Sequence, residues 1–422
     1  MKKLFIISAC IFLASCSKEV ASSNYQHETN NTSTTIPLSD ALIALDDMMS
    51  SLAACTKSEN TQDYSMEDIL PFGLPQIPQT KAGIIGVDVP DTLMYIVNFK
   101  NEQGFAVLSA DTRLGESVYC LTENGTIGSE DFIKAMDYLH SDKTNTKSYG
   151  KSEDTFKDIG HDFVPALILS SMLADIKYGL PKEAIETKAT PIAGGVLLKT
   201  KWHQGYPFNK YTPYENGRQC PAGCVAIACA QIMQYCKKPA DPVFNGVSCS
   251  WNTMETVCNS NDIYSNNATS EAKEQVARFL IHIGKKSLCY IRYHADGSGG
   301  YADGVVRTLK HYGYSSVRKT TGFGSKNQGK ASEMLRKGLP VYLNGSDYHN
   351  GGGHAWVIDG EWNGHFHCNW GWNGKWDGYY AKHNYFPISS RAYLDNTDPG
   401  TTSDDRKNDN YDWNFRLITY SL

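Results

Sequence analysis

The sequence predicts an α+β protein in two folded parts, a smaller N-terminal one and a larger one rich in reactive side chains. Three observations predict it. Helical and strand periodicities are mixed along the chain with no internal repeat. A stretch with Pro, Gly and Lys, "YGLPKEAIETKATPIAGG", interrupts them and places a boundary near residue 188. After Gly195, Trp, Tyr and Gly become frequent. With 422 residues, 41% hydrophobic and 11% aromatic, the chain can hold two or three domains and bury real cores. A formal net charge of −5, without any basic tract or basic helix, argues against nucleic acid as a main partner.

The start, "MKKLFIISACIFLASCSKEV", places two lysines before an apolar run from Leu4 to Leu13. That run is too short for a typical spanning helix and right for a signal peptide. Leu13-Ala14-Ser15-Cys16 resembles a bacterial lipobox, which would make Cys16 the lipidated first residue of the mature chain; the alternative is ordinary signal cleavage without lipid. Residues 1–16 are therefore read as signal peptide and 17–36, polar and aperiodic, as a flexible tether. The expectation is an exported precursor, periplasmic or on the cell surface, whose only membrane contact is an N-terminal lipid.

The first folded part, 37–188, opens with a helix over "PLSDALIALDDMMSSLAAC". "DTLMYIVNFKNEQGFAVLSAD" reads as two strands around a turn at Lys100–Gly104, and "SEDFIKAMDYLHS" as a helix with Ser129 as its N-cap. A further helix is expected at about 163–178. The second part, 189–422, carries a helix from Cys224, a polar loop region at 238–268, a helix at about 269–285 and a Trp/Gly-dense tail.

Four of the twelve cysteines fall within "QCPAGCVAIACAQIMQYC". Cys220, Cys224, Cys229 and Cys236 contain no CxxC pair, and on a helix from 224 their thiols diverge, which argues against one tetrahedral metal site and against disulfides within the helix. Val225, Ala228, Cys229, Ile232, Met233 and Cys236 form the apolar stripe of a buried helix, so Cys229 and Cys236 read as small core residues. Cys224 lies off that stripe, at the helix N-terminus and directly after Gly223. There the helix dipole and free N–H groups favour a thiolate. The choice between nucleophile and inert buried thiol rests on the rest of the chain.

A thiolate nucleophile needs a base, a group to orient the base and an oxyanion hole. The tail "NGGGHAWVIDGEWNGHFHCNWGWNGKWDGYY" supplies His354 at the mouth of an apolar strand and Asn369-Trp370 in a second strand. A hairpin turning at Glu361–Gly364 would set Asn369 beside His354, with the amide accepting from one ring nitrogen and Trp370 shielding that bond. Gln204, twenty residues before Cys224, offers an amide donor. Rival readings are a Cys–His acyltransferase or transglutaminase-like enzyme, an inactive surface binding protein of the same fold, and an adhesion protein.

"GCVAIACAQIMQYC", "KWHQGYPFN" and "GGGHAWVIDGEWNGHFHCNWGWNGKWDGYY" resemble the streptopain family of bacterial cysteine proteases. "MYIVNFKNEQGFAVLSADTRLGESVYCL" is similar to that family's inhibitory prodomain. The resemblance implies a papain-like, two-lobed catalytic domain at 189–422 behind an α+β inhibitory prodomain at 37–188. It implies Cys224 as nucleophile, His354 as base, Gln204 in the oxyanion hole, and Asn369 and Trp370 as support for the histidine. Protein or peptide substrates, the chain's own prodomain as inhibitor, and no cofactor or metal follow from it. Lys182 and Lys188 in the linker are the expected points of prodomain cleavage, the second being favoured, which would free the mature enzyme from the lipid on Cys16.

Overall fold

The structure, a computed structural model, describes residues 33–56, 64–77, 87–140, 157–181, 195–259, 267–346, 352–386 and 413–422. Cys16, Lys182 and Lys188 fall outside the described residues. Helix α1 (Leu38–Thr56) buries Ala41, Leu45, Met48 and Leu52 on one side. That spacing of four, three and four residues is the stripe a helix needs to lie on a sheet. The sheet beneath is an antiparallel meander of β1 (Met66–Phe72), β2 (Met94–Phe99), β3 (Phe105–Ser109) and β4 (Val118–Thr122). The expected turn at Lys100–Gly104 joins β2 to β3, with Asn98 paired to Phe105.

Every residue of β2 is buried because both faces of the meander are covered. Tyr95, Val97 and Phe99 face α1, while Met94 and Ile96 face the opposite core with Phe132 and Met136. These last two come from α2 (Ser129–Leu139). Its N-cap is Gly128 rather than the expected Ser129: the Gly128 N–H donates to the Asp131 carboxylate at 2.9 Å, so the first turn is capped from within the helix. After the short strand β5 (Lys157–Asp158), α3 (Phe163–Tyr178) is buried almost all round. A helix apolar on every side belongs in a core.

The remaining chain begins with two small hairpins, β6 (Tyr214–Glu215) with β7 (Arg218–Gln219) and β8 (Val243–Phe244) with β9 (Val247–Ser248). Its helices are α4 (Cys224–Tyr235), α5 (Trp251–Glu255), α6 (Ser270–Ile283), α7 (Ala302–His311) and α8 (Ser325–Arg336). The second hairpin and α5 occupy the expected polar loop region at 238–268. Thr269 caps α6 by accepting the Ala272 N–H at 3.1 Å. The larger strands are β10 (Ser315–Thr321), β11 (Val341–Ser346), β12 (Gly352–Trp362), β13 (His365–Asn369), β14 (Gly378–Ala381) and β15 (Arg416–Ser421).

One sheet unites both parts in the order β1-β2-β3-β4-β14-β13-β12-β11-β15-β10, and β5 pairs in parallel with the start of β12. Residues 34–422 accordingly form one compact unit. The sheet runs across the expected boundary near 188 through the β4–β14 ladder, Thr122 to Gly378 and Cys120 to Tyr380. Among the described residues no helix is long and apolar enough to cross a membrane.

Charge is gathered at that junction, with His367 and Asp359 buried and Glu123 part-exposed. Glu123, the residue after β4, lies 3.5 Å from Lys201 and 3.1 Å from His367 Nε2. The other ring nitrogen of His367 lies 2.6 Å from Asp359. Burial alone would strip the proton from His367, but Asp359 and Glu123 outweigh it and raise the pKa to about 10. Burial likewise opposes the Glu123 charge, yet Lys201 and His367 lower it to about 2. The signs fix a pH window. The His367 contribution to stability is complete below the unfolded value of 6.5 and lost as pH rises through about 10. The Glu123 contribution is present above 4.5 and lost as pH falls toward 2. Thermal unfolding of the full Cys224→Ala chain should therefore show its highest Tm at about pH 5 to 6.5 and decline on both sides. His367→Gln should flatten the alkaline decline, and equal alkaline declines in the two proteins would refute this account.

Candidate active site

Helix α4 begins at Cys224, which is 1% exposed. Its N-cap, Gly223, has φ +94°, and a Cβ there would sit 3.0 Å from Ile291 Cγ2 and 3.3 Å from the Ser298 carbonyl. Both the backbone angle and the passing 291–298 loop therefore require glycine just before the thiol. The predicted stripe is buried at Val225, Ala228, Cys229, Ile232 and Met233. The neighbouring thiols go elsewhere: Cys236 Sγ lies 3.7 Å from the Tyr420 hydroxyl, and Cys229 hydrogen-bonds to Cys289. Each is disfavoured as a thiolate. The Cys289 contact and burial push Cys229 well above the usual thiol value, burial pushes Cys236 up, and burial with the Glu215 charge pushes Cys220 up. Every cysteine side chain the structure describes is a free thiol.

Gln204 is tied to the approach to α4, its carbonyl accepting the Ala222 N–H at 2.9 Å. His203 beside it is driven by burial to a pKa of about 4 and is neutral at ordinary pH. His354 is the third residue of β12 and fully buried. Its Nε2 lies 2.8 Å from the Trp370 carbonyl. A carbonyl can only accept, so Nε2 carries the proton and, in the neutral ring, Nδ1 offers the lone pair.

The expected hydrogen bond from His354 to Asn369 is not made. The Asn369 amide oxygen instead accepts from Gln231 Nε2 at 2.9 Å and from the Gly371 N–H at 3.2 Å, and its amide nitrogen donates to the Thr200 carbonyl at 2.9 Å. Hairpin register is the reason. The turn falls at Asn363–Gly364, an irregularity lies between Ile358 and Gly360, and Asn369 then pairs with Val357. Three residues further along, His354 is level with Trp372, whose ring centroid lies 4.6 Å from its own. Trp370 is fully buried, 5.0 Å from both Trp356 and Tyr380, and stacks on Trp372 at 5.6 Å. Its backbone carbonyl, rather than Asn369, holds the histidine ring.

Gln231 went unnoticed in the sequence. It bonds to Asn369 and also accepts from the Thr200 hydroxyl at 2.9 Å and the Trp202 N–H at 3.3 Å. Its signal is its position seven residues after Cys224, two helical turns along the same face and off the apolar stripe. Helix α4, which carries Cys224, packs on β12, which carries His354, and Gln231 fastens α4 to Asn369 at the end of β13.

The N-terminal part reaches this place too. The Phe163 ring lies 5.9 Å from His354, 5.2 Å from Trp356 and 6.0 Å from Trp370. The His161 ring lies 4.5 Å from Trp372 and 5.4 Å from Trp376.

Comparison with known proteins indicates a cysteine-type peptidase of papain-like fold with a prodomain. Residues 202–380 match the model of the peptidase C10 family. That match spans less than half of the chain, and with the relatives that follow it supports a streptopain-like cysteine protease. It is 26% identical over 329 residues to streptopain of Streptococcus pyogenes serotype M1, covering 70% of this chain and 75% of the relative. It is 30% identical over 222 residues to the thiol protease/hemagglutinin PrtT of Porphyromonas gingivalis, which covers 47% of this chain but only 25% of that protein's length. A solved prointerpain A fragment from Prevotella intermedia shares the fold at a TM-score of 0.52 and 22% identity, over 78% of this chain and 96% of that one.

Gln231→Leu should cost about 2–4 kcal/mol, because buried partners on Thr200 and Trp202 lose their acceptor. Urea denaturation of the full chain measures it, and a loss near zero would show that these groups find other partners.

Proposed function

We propose that the protein is an exported cysteine endopeptidase made as a zymogen and acting on protein or peptide substrates. Cys224 attacks the scissile carbonyl as a thiolate after giving its proton to His354 Nδ1. His354 then returns that proton to the leaving amine, and water attacks the resulting thioester to release the acid and restore the thiol. Gln204 donates to the oxyanion, while Trp370 fixes the histidine through its carbonyl and Asn369 braces that turn. Export by the N-terminal signal, lipid attachment at Cys16 and release by cleavage near Lys188 complete the reading.

The observation that carries it is the packing of Phe163 and His161, from the segment before residue 188, onto His354 and Trp372. Latency follows from occupancy: a peptide substrate needs the surface those rings cover. The strand pair Lys157–Gly352 and Asp158–Gly353 fixes the segment one residue before His354. Together these contacts support an autoinhibited precursor.

The test combines site variants with activation. Cys224→Ala and His354→Ala should abolish or nearly abolish peptide hydrolysis by the activated enzyme, whereas Cys220→Ala should retain most of it. Gln204→Ala should lower turnover by roughly 10–1000-fold, as expected for one oxyanion donor. Trace trypsin on the Cys224→Ala precursor should cut near Lys188, and wild-type activity should appear with that cut. Full activity of the uncut wild-type chain would sink the zymogen reading; an active Cys224→Ala enzyme would sink the assignment of the nucleophile.

A further inference from the structure

We infer that Asp377, oriented by Lys201, is a positioning residue that holds His354 in its working tautomer and orientation through the backbone of Trp370. This rests on the reading of His354 as the base. Asp377 is fully buried, and its two carboxylate oxygens are divided between two donors. Oδ1 accepts the Trp370 N–H at 2.9 Å, and Oδ2 accepts from Lys201 Nζ at 3.0 Å. The carbonyl of the same Trp370 takes His354 Nε2 at 2.8 Å. One residue is therefore gripped on its N–H by a carboxylate and on its C=O by the imidazole.

The grip matters because the next residue, Gly371, has φ +75°. Without restraint the peptide between Trp370 and Gly371 can rotate at little cost, and its carbonyl would leave the ring. Asn369 braces one side by accepting the Gly371 N–H, and Asp377 braces the other. The carboxylate is itself aimed. Lys201 is 7% exposed, its stem lies 3.5 Å from where a Gly374 Cβ would sit, and Asp377 N–H closes the loop onto the Gly374 carbonyl at 3.2 Å. Thr200 and Trp202, on either side of Lys201, hold Asn369 and Gln231 through backbone groups. Three successive residues thus brace the same turn.

A neutral acceptor could satisfy one N–H at a lower desolvation cost than a buried ion pair. What the charge adds is a stronger, more directional hydrogen bond at the one backbone unit that touches the base. Glu123 shares the same lysine at 3.5 Å, and His367 joins Glu123 to Asp359, so all charges facing the pair belong to this one cluster.

The experiment uses the full chain after its own activation, with active sites counted by end-point titration with a peptide-linked alkylating agent, which needs a folded peptide-binding site to reach Cys224, so that unfolded protein does not enter kcat. Asp377→Asn and Asp377→Ala weaken or remove the anchor; Lys201→Met removes the cation but keeps the stem, and Lys201→Arg restores the charge. On a short fluorogenic peptide, Asp377→Ala and Lys201→Met should lower kcat by about 10- to 100-fold with KM little changed, as a displaced base does. Asp377→Asn should fall between them and wild type, and Lys201→Arg should recover most of the loss. A wild-type kcat per titrated site in Asp377→Ala and Lys201→Met overturns the inference, as does no recovery in Lys201→Arg. His354→Ala measured alongside separates the two failures: if it keeps turnover, the base itself is misassigned, and if it is dead while the Asp377 variants are not, only the positioning role falls.

Discussion

The ladder between Val118–Thr122 and Gly378–Ala381 is the joint from which the rest of the architecture follows. It merges the N-terminal meander with the strands that carry His354 and Asn369, and it brings Glu123 down onto Lys201 and His367. Backbone pairing of this kind is tolerant of sequence, so register must come from the side chains it buries. Here it comes from two cores. Trp362 and Tyr379 join α1 on one face, and the Trp356–Trp370–Tyr380 group joins α3 on the other.

On the proposed reading the chain faces opposing demands: a site rigid enough to work once released, and a segment docked firmly enough to block it until then. The chain meets the first demand locally. Gly223, Gln231 and the 200–202 backbone fix the helix start and the Asn369 turn. It meets the second through contacts that differ in kind. Phe163 and His161 pack their rings on His354 and Trp372, Glu123 reaches Lys201 across the two parts, and His383 Nε2 lies 2.6 Å from the Asp175 carboxylate. Buried ion pairs are poor sources of net stability but strong determinants of geometry, since breaking one leaves a charge uncompensated. A partner held this way leaves only when several contacts go together.

Much of the fold was readable because periodicity and turn chemistry act locally. The helices at 38–56, 163–178, 224–235 and 270–283 and the β2–β3 and β12–β13 hairpins all lie where the pattern places them. Strands such as Met66–Phe72, Val341–Ser346 and Arg416–Ser421, and the helix Ala302–His311, carry short or ambiguous patterns that only their neighbours resolve. The Ser129 cap failed because the helix starts one residue earlier: Gly128 is the N-cap, and its N–H donates to Asp131.

The sequence by itself determined that Cys224 stands at a helix start off the apolar stripe, and that His354 and Asn369 lie on consecutive strands of one hairpin. Those facts depend on spacing of 3.6 and 2 residues, which the chain carries in its order. Only the tertiary structure decided which groups touch. The hairpin register set Asn369 opposite Val357, three residues from His354; the histidine meets the Trp370 carbonyl and the amide meets Gln231. The Lys201–Asp377 and Glu123–His367 contacts join residues 176 and 244 positions apart. No periodicity relates such positions; they meet because burying a charge is tolerable only where an opposite one has been brought alongside it.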